Sequence, residues 1–313
     1  MSTPANQPAP IPLRPIMDER VWGSTTLGPW YPAPEPGKPI GEAWLTAANC
    51  VVEAGPRQGA TLAELTSAAP QAFGANSAGG FPLLVKVLFP REKLSVQVHP
   101  DDAGAQTLGM PNGKTECWYI LSADPGATVA VGMREPLTAE QMREAIANGS
   151  IEEAMRHIPV EAGDMIFVDA GTVHALGPGV IVLETQQYSD ATYRLYDYGR
   201  PRELHLDAGL KAARAVTQAG RVAAVAMDGF TRLIASPYFL VDRFSLEPDK
   251  AATAAASTSM QIFVALNDDC SLKSESGELT ALPPGHAVVL PANAGEWTLI
   301  ASTKAEVIRM AQP

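Results

Sequence analysis

The 313-residue chain is short of cysteine, of aromatic residues and of positive charge. Its three cysteines, Cys50, Cys117 and Cys270, are scattered and odd in number. They make no CxxC pair and no disulfide framework, so a reducing cytoplasm is the expected setting. Lys and Arg number 23 against 34 Asp and Glu, a formal net charge of −11. A surface of that sign opposes broad contact with nucleic acid or an anionic membrane. No apolar run approaches the roughly 20 residues of a spanning helix. Met1 to Pro15 has no basic stretch followed by an apolar one and does not read as a signal peptide. A disordered tail is expected over 1–18. GxGxxG, GxxxxGK[ST] and GxSxG are missing too, which leaves nucleotide-loop and nucleophile-elbow chemistry without an anchor.

What is present is punctuation and short β-rich runs. Proline (27) and glycine (26) recur at close intervals. Between them lie Phe81 to Phe89, Leu94 to Val98, Cys117 to Leu121, Met165 to Val168 and Val180 to Leu183. Many short strands between turns predict a mainly β fold, a sandwich or barrel. Helix is the minority. Thr138 to Gln141 and Ser150 to Glu153 fit capping boxes and predict two short helices. Thr61 to Phe73 and Arg202 to Val216 are further helical candidates. Gly74 to Gly80 and the low-complexity run Ala251 to Ser259 read as loops.

A β pattern restarts after the helical stretch, at Phe239 to Phe244, Gln261 to Leu266, Ala287 to Leu290 and Trp297 to Ile300. The segment 163–174 shares its rhythm of turn, apolar strand, turn and polar residue with 285–296. Two domains of one kind are therefore expected, 19–228 and 229–313.

The chemistry-bearing residues gather in the first of these. In a strand, positions i and i+2 point the same way. Gln97 and His99 thus share a face in LSVQVHP. Glu116 opens the next strong strand, and His174 follows the turn after MIFVDAGTV. Two imidazoles, a carboxylate and an amide oxygen suit zinc or a similar divalent ion. Lys86 lies inside FPLLVKVLF, where an ammonium is costly unless it meets a polar cavity. Lys114 sits two residues before Glu116. Arg194 and Arg200 flank a polar, tyrosine-rich stretch, where guanidinium groups suit phosphate. Glu184 closes the strand Val180 to Leu183, as a general acid or base or as a partner of a metal-bound His.

These residues fall in recognisable motifs. LSVQVHPDD (94–102), GKTECWYIL (113–121), the stretch 170–200 and RELHL (202–206) closely resemble type I mannose-6-phosphate isomerases of the short bacterial kind. ERVWG (19–23), GEAW (41–44) and FPLLVK (81–86) fit the same family. The resemblance spans roughly two thirds of the chain. It implies two cupin-type jelly rolls, the second metal-free, and one zinc on Gln97, His99, Glu116 and His174. It also implies Arg194 as the catalytic arginine and Lys114 and Glu184 as pocket residues discussed for proton transfer. Ser95, Lys86 and Arg200 match positions associated with the substrate phosphate. By the internal echo, Met260 stands for Glu116 in the second domain. Asp169 replaces a common proline, and GEAWLTA is an altered form expected to bear on the entrance.

The implied reaction interconverts mannose 6-phosphate and fructose 6-phosphate through an enediol. Its partner is a small phosphorylated sugar, taken up by a monomer or small homo-oligomer. Two alternatives remain at this stage. Two His and one carboxylate also serve non-haem iron oxygenases, though Gln97 as a fourth ligand disfavours oxygen chemistry. The third reading is a sugar-phosphate-binding cupin without turnover. Charge distribution leaves room for an anionic substrate. The segment 81–122 carries Lys86, Arg91, Lys93 and Lys114 against Glu92, Asp101, Asp102 and Glu116, and is formally neutral.

Overall fold

The computed structural model describes residues 9–76, 78–248, 250–254, 256–275 and 277–313. One seven-stranded sheet runs in the order Gly220–Arg221, Met165–Val168, Glu116–Ala123, Val180–Gln187, Leu83–Leu88, Ile40–Trp44 and Ile16–Ser24. A five-stranded sheet covers it, in the order Tyr193–Tyr196, Val96–Val98, His174–Leu176, Thr128–Met133 and Met155–Pro159. Trp118, Ile120 and Val182 of the first sheet meet Val129, Val131 and Leu176 of the second in one apolar interior. This is the N-terminal jelly roll.

The C-terminal part repeats the plan. Its seven-stranded sheet runs Ile11–Leu13, Ala287–Leu290, Gln261–Ala265, Ala305–Ala311, Leu240–Leu246, Thr231–Ala235 and Val225–Ala226. A four-stranded sheet of Ala252–Ala254, Trp297–Ala301, Cys270–Ser274 and Leu279–Leu282 covers it. Met165–Val168 and Ala287–Leu290, the two strands of the sequence echo, hold the same second place in their sheets.

Leu83–Leu88 shows why alternation is weak in the central strands. Every residue of LLVKVL is buried. A strand covered on both faces has no solvent side to mark. One of its faces looks into the barrel. The other, with Val85 and Val87, packs on Ile262, Val264, Val289 and Ile308 of the second large sheet. The two barrels therefore stand back to back across a shared apolar core.

The helices are short. Thr61 caps Leu62–Ala68 through a reciprocal bond pair with Glu64, and Thr138 caps Ala139–Asn148 with Gln141 in the same way. Among the described residues no helix is long and apolar enough to cross a membrane.

Several expectations need correction. Ile11–Leu13 and the start of Ile16–Ser24 are strands, so 9–18 is no disordered tail. Residues 1–8 of that expectation lie outside the described residues. Ile11–Leu13 pairs with Ala287–Leu290, which ties the N-terminal segment to the C-terminal barrel. Ala252–Ala254 is a strand paired with Trp297–Ala301, not part of a loop. Ser150 makes no side-chain cap, and Ile151–Ala154 is a single turn before the strand Met155–Pro159. The last helical candidate shrinks to Leu206–Ala212.

Candidate active site and metal centre

Sheet register builds one wall of the site. Trp44 lies opposite Lys86, Lys86 opposite Glu184, and Glu184 opposite Trp118. Directly opposed residues on antiparallel strands share a face, so this row points together into the barrel. Two positions along on the same face stand Glu42 and the opposed pair Gln186 and Glu116. The covering sheet gives the other wall, where Gln97 lies opposite both His174 and Arg194.

A cluster that could hold a metal ion forms where the walls meet. Ligand atoms of His99, Glu116 and His174 lie within 4.8 Å of one another, and all three residues are buried. His99 Nδ1 donates to the Ala191 carbonyl at 2.8 Å, and His174 Nδ1 to the Thr172 carbonyl at 2.9 Å. A carbonyl only accepts, so Nδ1 carries the proton in each ring and Nε2 turns a lone pair inward. Burial, reinforced by the Lys114 charge, holds His99 well below the usual imidazole range. Burial likewise lowers His174, to about 4. Both rings are neutral near pH 7, the form that ligates metal.

Glu116 completes the set. Its Oε2 is 3.5 Å from His99 Nε2, and its Oε1 is 3.4 Å from His174 Nε2. Among the described residues Oε1 has no hydrogen-bond partner, although it is buried. A buried carboxylate oxygen without a donor would be satisfied by a cation held between Glu116 and the two imidazoles. The Gln97 amide lies 3.3 Å from His174 Nε2. The donor set fits a zinc-like ion, and the two backbone carbonyls on Nδ1 fix ring orientation from behind.

Cations and carboxylates surround this centre. Lys114 Nζ donates to Glu116 Oε2 and lies 3.0 Å from His99 Nε2. Burial alone would lower the Lys114 pKa, but Glu116 and then Glu184 outweigh it and raise it. Lys86 Nζ lies 3.6 Å from Glu42 Oε2, 4.0 Å from Glu184 Oε2 and 4.3 Å from the Trp44 ring centre. That explains an ammonium only 4% exposed in an apolar run. Glu184 accepts from Trp118 Nε1 at 3.2 Å. Burial raises its pKa, against the pull of Lys114 and Lys86.

A cavity of about 480 Å³ joins these groups. Lys86, Ser95, Gln97, Lys114, Glu184 and Arg194, all singled out in the sequence, are among the residues that line it. Arg194 donates through NH1 to the Glu203 carbonyl at 2.8 Å, and its buried Nε has no protein partner among the described residues. Partial burial, then the neighbouring Arg202, lowers its pKa.

Arg200 lies apart from these groups. It does not line the cavity. Its guanidinium binds Asp197 at 2.8 Å and the Lys93 carbonyl at 2.8 Å, and stands 3.6 Å from Glu92. Asp197 is buried and takes both Arg200 and Arg202, and of these two Arg202 reaches the cavity. Sequence reading also passed over Arg20, Glu42 and Asp190, which line the same space. For Glu42 a signal existed, since strand alternation places it on one face with Trp44.

The second barrel carries different groups in the equivalent row. Gln261 lies opposite Leu290 as Glu116 lies opposite Val168, so Gln261, not Met260, is the counterpart of Glu116. Continuing by register, Phe263 replaces Trp118, Arg309 replaces Glu184 and Asp242 replaces Lys86. The charges are reversed. Arg309 and Arg232 both bind the buried Asp242, and Arg309 also donates to Gln261 at 3.3 Å.

Fold and site together define a double jelly-roll protein of the cupin type, with a His–Glu–His cluster that could hold a metal ion in its N-terminal barrel. Residues 11–130 match the family profile "Phosphomannose isomerase type I, catalytic domain". A mannose-6-phosphate isomerase of Streptococcus mutans is 34% identical over 301 residues, 92% of this chain and 94% of that protein. The crystal structure of the mannose 6-phosphate isomerase from Bacillus subtilis superposes with a TM-score of 0.87 at 33% identity, over 97% of this chain and 99% of that one. A zinc-bound mannose 6-phosphate isomerase structure shares the fold at 17% identity, with a TM-score of 0.78 over 97% of this chain and 100% of that one. The chain belongs to the type I mannose-6-phosphate isomerase family.

Proposed function

We propose that this protein interconverts mannose 6-phosphate and fructose 6-phosphate with one zinc ion as cofactor. The observation that carries this reading is the cavity itself. It brings Lys86, Arg194 and Glu184, a buried carboxylate of raised pKa, together with Gln97 and Lys114, which touch the neutral-imidazole and carboxylate cluster behind its wall. Family membership and the zinc named for a structural neighbour support it. Gln97, His99, Glu116 and His174 would hold the ion, which when bound supplies electrostatic stabilisation of developing oxygen charge.

The residues divide the work by charge. Glu184 takes the proton from C2 of the open-chain aldose, giving the enediolate form of the enediol intermediate. It returns the proton at C1, while the hydroxyl hydrogen passes from O2 to O1. The electrostatics support Glu184 over Lys114 as the base. Burial moves Glu184 toward neutral pH, whereas Lys114 is held as an ammonium by Glu116 and Glu184. Lys114 and Arg194 then serve as fixed positive groups for the sugar oxygens. Lys86 and Ser95 hold the phosphate. Buried free thiols at all three cysteines support a cytoplasmic setting.

A coupled isomerase assay on protein before chelation, after chelation and after return of zinc tests the reading. Turnover is expected to vanish with the chelator and return with zinc. Iron-dependent oxygen uptake without isomerisation would replace this reading with an oxygenase. Binding of mannose 6-phosphate without conversion by the zinc-loaded protein would leave only a binding role.

A further inference from the structure

Glu42 is a buried carboxylate on the cavity wall, and three donors converge on one of its oxygens. Trp44 Nε1 donates to Oε2 at 2.7 Å, Arg20 NH2 donates at 3.1 Å, and Lys86 Nζ stands 3.6 Å away. Burial works against its charge, but Lys86, then Arg20 and the Trp44 N–H, hold its pKa below the ordinary carboxylate value. The Trp44 ring at the same time lies under Lys86, 4.3 Å from Nζ. Glu42, Trp44 and Lys86 thus form a closed triangle in which each member fixes the other two.

Arg20 braces the triangle from outside. Its NH2 also reaches Asp18 at 2.6 Å, and its aliphatic stem lies on Gly41. A Cβ at Gly41 would stand 2.4 Å from Arg20 Cβ, so only glycine lets that stem cross the strand here. The arrangement has a purpose because Lys86 has a second carboxylate within reach. Glu184 Oε2 is 4.0 Å from Nζ. Freed from Glu42, the ammonium would have Glu184 as its nearest carboxylate and would be drawn off the position it now holds.

We propose that Glu42 is a positioning residue, which holds the Lys86 ammonium toward the cavity to receive the phosphate of the sugar. The identity of that anion rests on the isomerase reading. The positioning itself can be measured with inorganic phosphate alone.

Glu42→Gln keeps the side-chain size and an acceptor oxygen but removes the charge. Calorimetry of inorganic phosphate binding to the zinc-loaded variant should show affinity weakened about tenfold, the scale of one charge-assisted contact. KM for mannose 6-phosphate should rise by a similar factor, with kcat changed by no more than about threefold. In a Lys86→Met background the same substitution should change phosphate affinity by less than about twofold, because Glu42 acts through Lys86. Trp44→Phe keeps the ring and removes the N–H brace. It should weaken phosphate in the same direction by a smaller factor, and it serves if Glu42→Gln does not fold.

A plain charge effect has the opposite sign, since deleting a nearby negative charge should tighten phosphate binding. Unchanged or tighter binding in Glu42→Gln would overturn the proposal. So would an equal loss in the Lys86→Met background, or a wild-type protein that binds no phosphate. Wild-type turnover with no loss of phosphate affinity in Glu42→Gln defeats the positioning role and leaves the isomerase reading intact. Weakened phosphate binding in a protein that does not isomerise mannose 6-phosphate does the reverse.

Discussion

Replacing Arg194 with alanine is the sharpest probe of the catalytic reading. Arg194 stands opposite Gln97, beside the metal centre, and half-buried in the cavity wall. No carboxylate within ion-pairing distance claims its guanidinium among the described residues. Among the described residues its guanidinium makes one hydrogen bond to protein, NH1 to the Glu203 carbonyl at 2.8 Å, and its Nε is buried without a protein acceptor. The group is therefore available to an oxygen that becomes negative during the reaction. At about 4 Å and an effective dielectric of about 20, two unit charges interact by about 4 kcal/mol. Losing one well-placed donor in an active site typically costs about 2.7–4 kcal/mol, or about 100- to 1000-fold in kcat. The folded state loses less. A hydrogen bond from a charged donor contributes about 1.5–3 kcal/mol, and removing Arg194 offsets part of that by relieving repulsion from Arg202 and Arg200. Arg194→Ala should thus keep its zinc and stay folded, and lose about 100- to 1000-fold in kcat in the coupled isomerase assay. A folded, zinc-loaded variant within a few-fold of wild-type kcat would refute the role given to Arg194.

Two further outcomes test the site's division of labour. Arg200→Ala should leave KM for mannose 6-phosphate within about twofold, because Arg200 faces Asp197 and the Lys93 carbonyl rather than the cavity. Lys86→Met should raise KM strongly, and an equal rise in both variants would return Arg200 to the substrate. The acid limb of kcat/KM should report Glu184. A base works ionised, so the rate should fall as pH drops through a pKa raised above the ordinary value of about 4.3. Glu184→Gln should remove that limb along with most of the turnover, and an unchanged limb would assign it to another group.

Local periodicity made much of this molecule readable in its sequence. Gln97 and His99 share a strand face whatever the rest of the chain does. An ammonium at Lys86 inside LLVKVL implies a polar cavity before any strand is paired. The capping box at Thr138 announced a helix because its bonds close within four residues, whereas the one at Thr61 came to light only in the structure. Ser150 carried the same pattern and made no cap, since Ile151–Ala154 ends after one turn in the strand Met155–Pro159.

Tertiary structure decided the rest. The row Trp44, Lys86, Glu184 and Trp118 joins four strands drawn from residues 40–187, and its register depends on pairings between segments far apart. Glu42 is an ordinary acid in GEAW until that register sets it beside Lys86 and the strand turn sets it beside Arg20. Arg200 and Arg202 differ by two positions, and only the competition for Asp197 shows which of the two reaches the cavity. The N-terminal strand reads as a tail because its partner, Ala287–Leu290, lies at the other end of the chain. Residue chemistry and strand period are local and survive in one dimension. Register, the choice among neighbouring cations and the pairing of distant edges are settled by burial and charge between segments that meet only when the chain is folded.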